Sequence, residues 1–188
     1  DDEDKQDLDL IIHETTRAAE IVRNLLDFAR ERAAIKERLS INDVVLRVVR
    51  LIRNQKGFDR ILNNDLLTTD LPEVDGNMNQ LQQVLLNLSL NACEAMPKGG
   101  TITIKTFFQD DHVFVEVIDT GCGIKREHLD QLFEPFFTTK PVGKGTGLGL
   151  AVSFGIIEQH RGTLEVQTEE GKGSTFRIKL PQASGRVI

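Results

Sequence analysis

From Leu8 to Ala29, apolar and small residues recur at alternating spacings of three and four: Leu8, Ile11, Thr15, Ala18, Val22, Leu25 and Ala29. A second seam, Ile12, Thr15, Ala19, Val22, Leu26 and Ala29, runs beside it. Two adjacent heptad seams make a stripe wider than one partner helix covers, so the segment reads as one helix of a four-helix bundle. It is expected to dimerise, or to pack on a hairpin partner upstream of Asp1. Charge density rises from Arg30 to Arg38, which places a linker there.

Beyond the linker the periodicity changes. Residues 39–41 (LSI) read as a short strand, and Asn42 or Asp43 can cap a helix running to about Gln55, with Gly57 ending it. Strand-like ILNNDLLT follows at 61–68. Leu81, Val84, Leu85, Leu88 and Ala92 recur at helical spacing between Met78 and Met96, and Pro97, Gly99 and Gly100 stop that helix. Two alternating runs, 101–108 and 112–119, joined at Asp110-Asp111, predict a hairpin. LEVQT and TFRIKL around Gly171-Lys172-Gly173 predict another, and a helix is expected from about Leu148 to His160. Helices interleaved with hairpins suggest an α+β fold: a two-layer sandwich, its mixed sheet covered by helices on one face, preceded by a long helix. The organisation expected is a bundle helix and linker over 1–38, a folded domain over 39–182 and a tail over 183–188.

Composition narrows the function. With 39% hydrophobic and 28% charged residues in 188, the chain is globular and long enough for a real core. The balance of 23 basic against 29 acidic residues, a net charge of −6, speaks against a surface that coats nucleic acid. With no Trp or Tyr, ten Phe carry all aromatic packing and leave little platform for stacking bases. No apolar run approaches the roughly 20 residues that cross a bilayer, and the start, DDEDKQDLD, is unlike a signal peptide. A soluble fragment without membrane contact is expected. Cys93 and Cys122 form no metal spacing, and two thiols in this length suggest a reducing, cytoplasmic setting.

Four clusters can carry chemistry. Asn87 and Asn91, four apart, share one helix face and offer two amide oxygens to a hard cation such as Mg²⁺; they read equally as solvated or capping residues. Asp119 ends an apolar strand, and Gly121 and Gly123 let backbone approach a flat ligand while the carboxylate accepts one amino hydrogen bond; an ordinary turn is the alternative. Phe133, Phe136 and Phe137 read as core or as the anchor of a lid. Residues 143–149 (GKGTGLG) have glycine at every second position and lead into a helix N-terminus, an arrangement that cradles phosphate or serves as a hinge. It is neither a P-loop nor a clean GxGxxG.

The order and spacing of these clusters resemble the N, G1, F and G2 boxes of sensor histidine kinases. The resemblance continues through Gly171-Lys172-Gly173-Ser174-Thr175-Phe176 and begins at LLDFAR, 25–30, which is similar to the end of the second helix of the kinases' dimerisation and phosphoacceptor hairpin. Glu134-Pro135-Phe136-Phe137-Thr138-Thr139-Lys140 is most similar to the nitrogen-regulation type. The resemblance implies an ATP-binding Bergerat fold, with Asp119 on the adenine amino group, Gly121 and Gly123 on the purine, and Asn91 on Mg²⁺ with Asn87 in support. It implies a lid of Gly145, Thr146, Gly147, Leu148 and Gly149, a water-mediated adenine contact from Ser174, and a phosphate contact from Lys140, with Lys144 a further candidate. It departs at three positions: Asn77 where Asp is frequent, Glu94 where a basic residue is frequent, and Arg161 in place of glycine in a His-Gly-Gly turn.

The fold resembles that of gyrase, MutL and heat-shock chaperone ATPases too. Those place a Glu four residues before the metal Asn to activate water; here that position is Asn87, and an amide is no general base. Transfer of the γ-phosphoryl to a histidine is therefore implied, followed by relay to the aspartate of a response-regulator receiver domain, in a parent that dimerises through its helical hairpin. His13 precedes Glu14 as in the acceptor motif, but the following Thr15-Thr16-Arg17-Ala18 lacks its proline, so the acceptor is expected outside this chain. His112 and His128 read as surface, and His160 as helix-end packing or a charge at the helix dipole. A nucleotide-gated interaction module and an anti-sigma-factor-type serine kinase are the alternatives.

Overall fold

The computed structural model describes residues 36–53, 61–141 and 145–183, together with Leu8 and Thr15, both helical. The rest of the expected bundle stripe, LLDFAR, most of the linker, His13, Gly57, Gly143, Lys144 and nearly all of the tail lie outside the described residues. The elements are β1 (Glu37–Leu39), α1 (Ile41–Arg53), β2 (Ile61–Leu67), β3 (Val74–Gly76), α2 (Met78–Glu94), β4 (Gly100–Gln109), β5 (His112–Asp119), a 3-10 turn (Arg126–Gln131), α3 (Gly149–Gln159), β6 (Thr163–Glu169) and β7 (Gly173–Pro181).

β2, β4, β5, β7 and β6 form one sheet in that order. β2 is parallel to β4 and the remaining pairs are antiparallel, so the sheet is mixed, as helices interleaved with hairpins suggest. β1 and β3 pair separately. Strand periodicity sends Ile102 and Ile104, Val113, Val115 and Val117, and Phe176, Ile178 and Leu180 to one face, where all are buried. α1 and α2 lay Val44, Val45, Val48 and Ile52, and Leu81, Val84, Leu85 and Leu88, on that face, and α3 adds Ile156 and Ile157. Thr106 is the polar member of the β4 row; its hydroxyl donates to Asn42 Oδ1 at 2.9 Å and accepts from Thr68 N–H at 3.1 Å. On the opposite face Phe107 and Phe114 stack with centroids 4.8 Å apart, and Glu116 accepts from Arg177 Nε at 2.8 Å.

The predicted turns close with specific backbone geometry. Asp110 and Asp111 have φ of 49° and 58°, the two positive values that a two-residue hairpin of the right twist requires. The first strand and helix differ from expectation by a few residues: the strand is Glu37–Leu39 and the helix begins at Ile41. Ser40, rather than Asn42 or Asp43, sits at its start, its hydroxyl accepting from Asp43 N–H at 3.4 Å, because serine places an acceptor within reach of the third helical amide. That frees Asn42 to bridge Thr106 and, through Nδ2, Thr68 O at 2.8 Å.

Asn77 caps α2 through Oδ1 and Gln80 N–H at 3.1 Å, so the Asn for Asp exchange leaves the cap intact. The same end of α2 is tied to α3: Asn77 N–H donates to His160 Nε2 at 3.0 Å, while His160 Nδ1 lies 2.7 Å from Ile156 O. An accepting Nε2 requires the neutral ring with its proton on Nδ1. Burial, with a contribution from Lys36, holds the His160 pKa below its usual 6.5, so this residue is helix-end packing and not a dipole-facing charge. Arg161 takes the turn with φ 57° in place of glycine.

A neutral buried ring binds fewer protons than the unfolded ring below pH 6.5, so its contribution to stability is full above that pH and declines as pH falls through the window beneath it. Thermal melts of wild type and His160→Gln between pH 8 and 5 should show wild type losing more Tm on acidification. His160→Ala should cost about 2 kcal/mol at pH 8, because Asn77 N–H loses its acceptor.

Candidate nucleotide site

Asp119 occupies the last position of the inward row of β5, after Val113, Val115 and Val117, so the alternation that buries the valines buries a carboxylate, which is 5% exposed. Its Oδ1 accepts from Gly121 N–H at 2.8 Å and from Ser174 N–H at 3.3 Å. Among the described residues no donor reaches Oδ2. Burial raises the pKa above the ordinary 3.8, and the hydrogen bonds from Gly121 and Ser174 pull it back in part. A ligand N–H presented to this group would relieve the cost of its desolvation.

Neighbouring backbone packs tightly around the acid. Asp119 faces Ser174 across the β5–β7 ladder. Gly173 has φ 114°, and a Cβ there would lie 2.0 Å from the Asp119 carbonyl oxygen, so glycine is required. Ser174 Oγ lies 3.0 Å from Thr168 Oγ1, which donates to Gly173 O at 2.9 Å and accepts from Ile124 N–H at 2.9 Å. Thr168 thus fixes both the Ser174 hydroxyl and the segment after Gly123, and nothing in its local sequence singles it out. On the other side Cys122 N–H donates to Ala95 O at 3.1 Å, which joins the Asp119 loop to the end of α2. Burial, reinforced by Glu94, pushes the Cys93 thiol up to about 12, so it is an inert packing group.

α2 carries both candidate amides, half-buried and one turn apart. Asn87 Nδ2 donates to Gly149 O at 3.3 Å and to Ser153 Oγ at 3.4 Å on α3, which leaves its oxygen as the atom for a cation. Asn91 Oδ1 accepts from Lys140 Nζ at 3.3 Å. Among the described residues no three His, Cys, Asp or Glu side chains group as a metal site. The donor set nevertheless fits Mg²⁺: neutral amide oxygens, one already facing a cationic ammonium, suit a metal whose other ligands are phosphate oxygens and water.

The glycine-rich segment leads from Gly145 into α3. Phe136 N–H donates to Gly147 O at 2.9 Å, and a Cβ on Gly147, φ 66°, would lie 2.4 Å from the Phe136 carbonyl carbon. Phe136 itself is 62% exposed with φ 69°, so its backbone rather than its ring anchors the segment. Phe133 packs on Phe154 of α3 at 5.2 Å between centroids, and Phe137 on His128 at 5.6 Å. The three phenylalanines therefore divide between core and anchor. Thr146 Oγ1 accepts from Leu148 N–H at 3.4 Å, while the Leu148 side chain joins the core. The candidates thus form three contacting groups, Asp119 with Gly121 and Ser174, Asn87 with Gly149, and Asn91 with Lys140, joined through α2.

Residues 76–184 match the family described as histidine kinase-, DNA gyrase B-, and HSP90-like ATPase. Sensor kinase CckA of Brucella abortus (strain 2308) is 43% identical over an alignment covering 88% of this chain and 19% of that protein. The catalytic domain of histidine kinase ThkA superimposes with a TM-score of 0.70 at 30% identity, covering 79% of this chain and 96% of that one. Histidine kinase ThkA in complex with response regulator protein TrrA gives a TM-score of 0.76 at 27% identity, covering 92% and 49%. This chain spans less than half the length of the curated relatives it matches.

Asp119→Asn keeps an oxygen for Gly121 and Ser174 and removes the desolvated charge. At pH 7, above the carboxylate's ordinary pKa, its Tm should equal or exceed that of wild type. Its affinity for Mg·ATP by calorimetry should fall by about 30-fold or more, through loss of a charge-assisted hydrogen bond.

Proposed function

Because this chain belongs to the histidine kinase-, DNA gyrase B-, and HSP90-like ATPase family and carries a catalytic domain of the sensor histidine kinase type, we propose that it binds Mg·ATP and transfers the γ-phosphoryl group to a histidine outside this chain. Asp119 accepts from the adenine amino group, the Gly121–Gly123 loop lines the purine, and Ser174 reaches adenine through water. Asn91, with Asn87 beside it, holds Mg²⁺. A metal held there would supply neutralisation of phosphate charge. Gly145, Thr146, Gly147 and Gly149 offer backbone to the phosphates, and the N-terminus of α3 adds favourable dipole.

The observation that carries transfer over hydrolysis is the state of Asn87. Its amide nitrogen is committed to Gly149 and Ser153, and an amide cannot take a proton from water. The nearest acid on α2, Glu94, is ion-paired with Lys140. The attacking group must then be one that needs no base to remove a proton beforehand, such as the unprotonated nitrogen of a neutral imidazole. Alignments with the relatives reach 88–96% of this chain, beyond the family match at 76–184. That extent is in keeping with residues 1–38 as a dimerisation helix and linker, and the likeness to histidine kinase ThkA in complex with response regulator protein TrrA supports a receiver domain as the downstream acceptor. Among the described residues no helix is long and apolar enough to cross a membrane.

The test adds radiolabelled ATP and Mg²⁺ to the chain together with a protein carrying a histidine-bearing hairpin helix. Acid-labile, base-stable label should form on the added helix and persist with His13→Gln. Intact nucleotide binding with no label on either protein would overturn the kinase reading in favour of a nucleotide-gated module.

A further inference from the structure

The ammonium of Lys140 stands between two oxygens of α2. It donates to Asn91 Oδ1 at 3.3 Å and forms an ion pair with Glu94, three residues further on and on the same helix face. Both partners are partly exposed, Lys140 at 35% and Glu94 at 51%, so the pair adds little to stability and can be exchanged by a ligand. Glu94 is also the last residue of α2, where the helix dipole favours a cation over an acid. Helix stability does not account for it. Lys140 is moreover packed against the root of the glycine-rich segment: a Cβ on Gly145 would lie 2.9 Å from Lys140 Cδ and 2.8 Å from Thr138 Oγ1. Where Lys140 sits therefore bears on where that segment starts.

We propose that Glu94 is a positioning residue that holds the Lys140 ammonium against Asn91 Oδ1 in the nucleotide-free protein and makes polyphosphate binding depend on an accompanying divalent cation. The inference rests on Asn91 being the metal-facing amide. A triphosphate arriving without metal meets the Glu94 carboxylate and a lysine whose charge is already shared, and both disfavour it. With a divalent cation at Asn91 Oδ1, the two cations repel, and Lys140 turns from the amide to the phosphate oxygens. Glu94 then faces a ligand whose negative charge the metal has cut by about half. Selectivity for the metal complex thus comes from a repulsive element beside the attractive ones.

The experiment measures ATP affinity by calorimetry with Mg²⁺ and with EDTA for wild type, Glu94→Gln, Glu94→Lys and Glu94→Asp, with nucleotide-free melts alongside. Glu94→Gln should tighten metal-free ATP by about fivefold while leaving Mg·ATP within about twofold, so the ratio of the two affinities shrinks. Glu94→Lys should shrink it further, Glu94→Asp should keep most of it, and Tm should not fall in any of them. Intact binding with the same ratio in Glu94→Gln and Glu94→Lys as in wild type would overturn the inference while leaving the nucleotide site standing. Silence of the wild type toward both forms of ATP would overturn the site itself, and the inference with it.

Discussion

Burying a carboxylate among valines is unfavourable unless its charge is met, and at Asp119 it is met only in part. Two backbone N–H groups converge on Oδ1, while Oδ2 receives no donor from the described residues. The acid is consequently raised in pKa and predisposed toward a ligand that supplies a further donor. Nothing about the strand requires this residue: a hydrophobic side chain would complete the inward row at lower cost. The fold instead keeps the acid beneath closely packed backbone, which has no room for a side chain at Gly121 or Gly173.

α2 makes this acid part of a larger arrangement. Its C-terminal end joins the Asp119 loop through Ala95 O and Cys122 N–H, and its middle carries Asn87 and Asn91. Its N-terminal end is fixed to α3 by Asn77 and His160. α3 starts at the glycine-rich segment, so one helix is tied to both ends of the helix that follows the phosphate-binding candidates. Asp119 and Gly149 are thereby spanned by packed secondary structure rather than by loop alone.

Much of this was legible in the residues. Alternation in 101–108 and 112–119 gave the hairpin and put Asp119 at the end of its second strand; the structure adds that this position continues the buried row of Val113, Val115 and Val117. The i, i+4 spacing of Asn87 and Asn91 gave their common face. The start of α1 was misplaced because Ser40, Asn42 and Asp43 are all competent caps and only tertiary contacts choose among them; Asn42 is taken by Thr68 and Thr106. Thr168 and the Glu94–Lys140 contact were not legible, since each joins segments distant in the chain. Glu94 was visible only as a departure from a familiar pattern, and its partner emerges from the fold.

The claim on which the account turns is that Asp119 reads a donor on the purine. The direct measurement compares the affinities of ATP, GTP and the triphosphate of unsubstituted purine riboside, all with Mg²⁺. These ligands share the phosphates; at the six-position they bear a donor, an acceptor and neither, and guanine adds an N1–H and a 2-amino group. The account predicts ATP to bind at least about tenfold tighter than the unsubstituted purine, which lacks only the donor. The unsubstituted purine binding as tightly as ATP would contradict it.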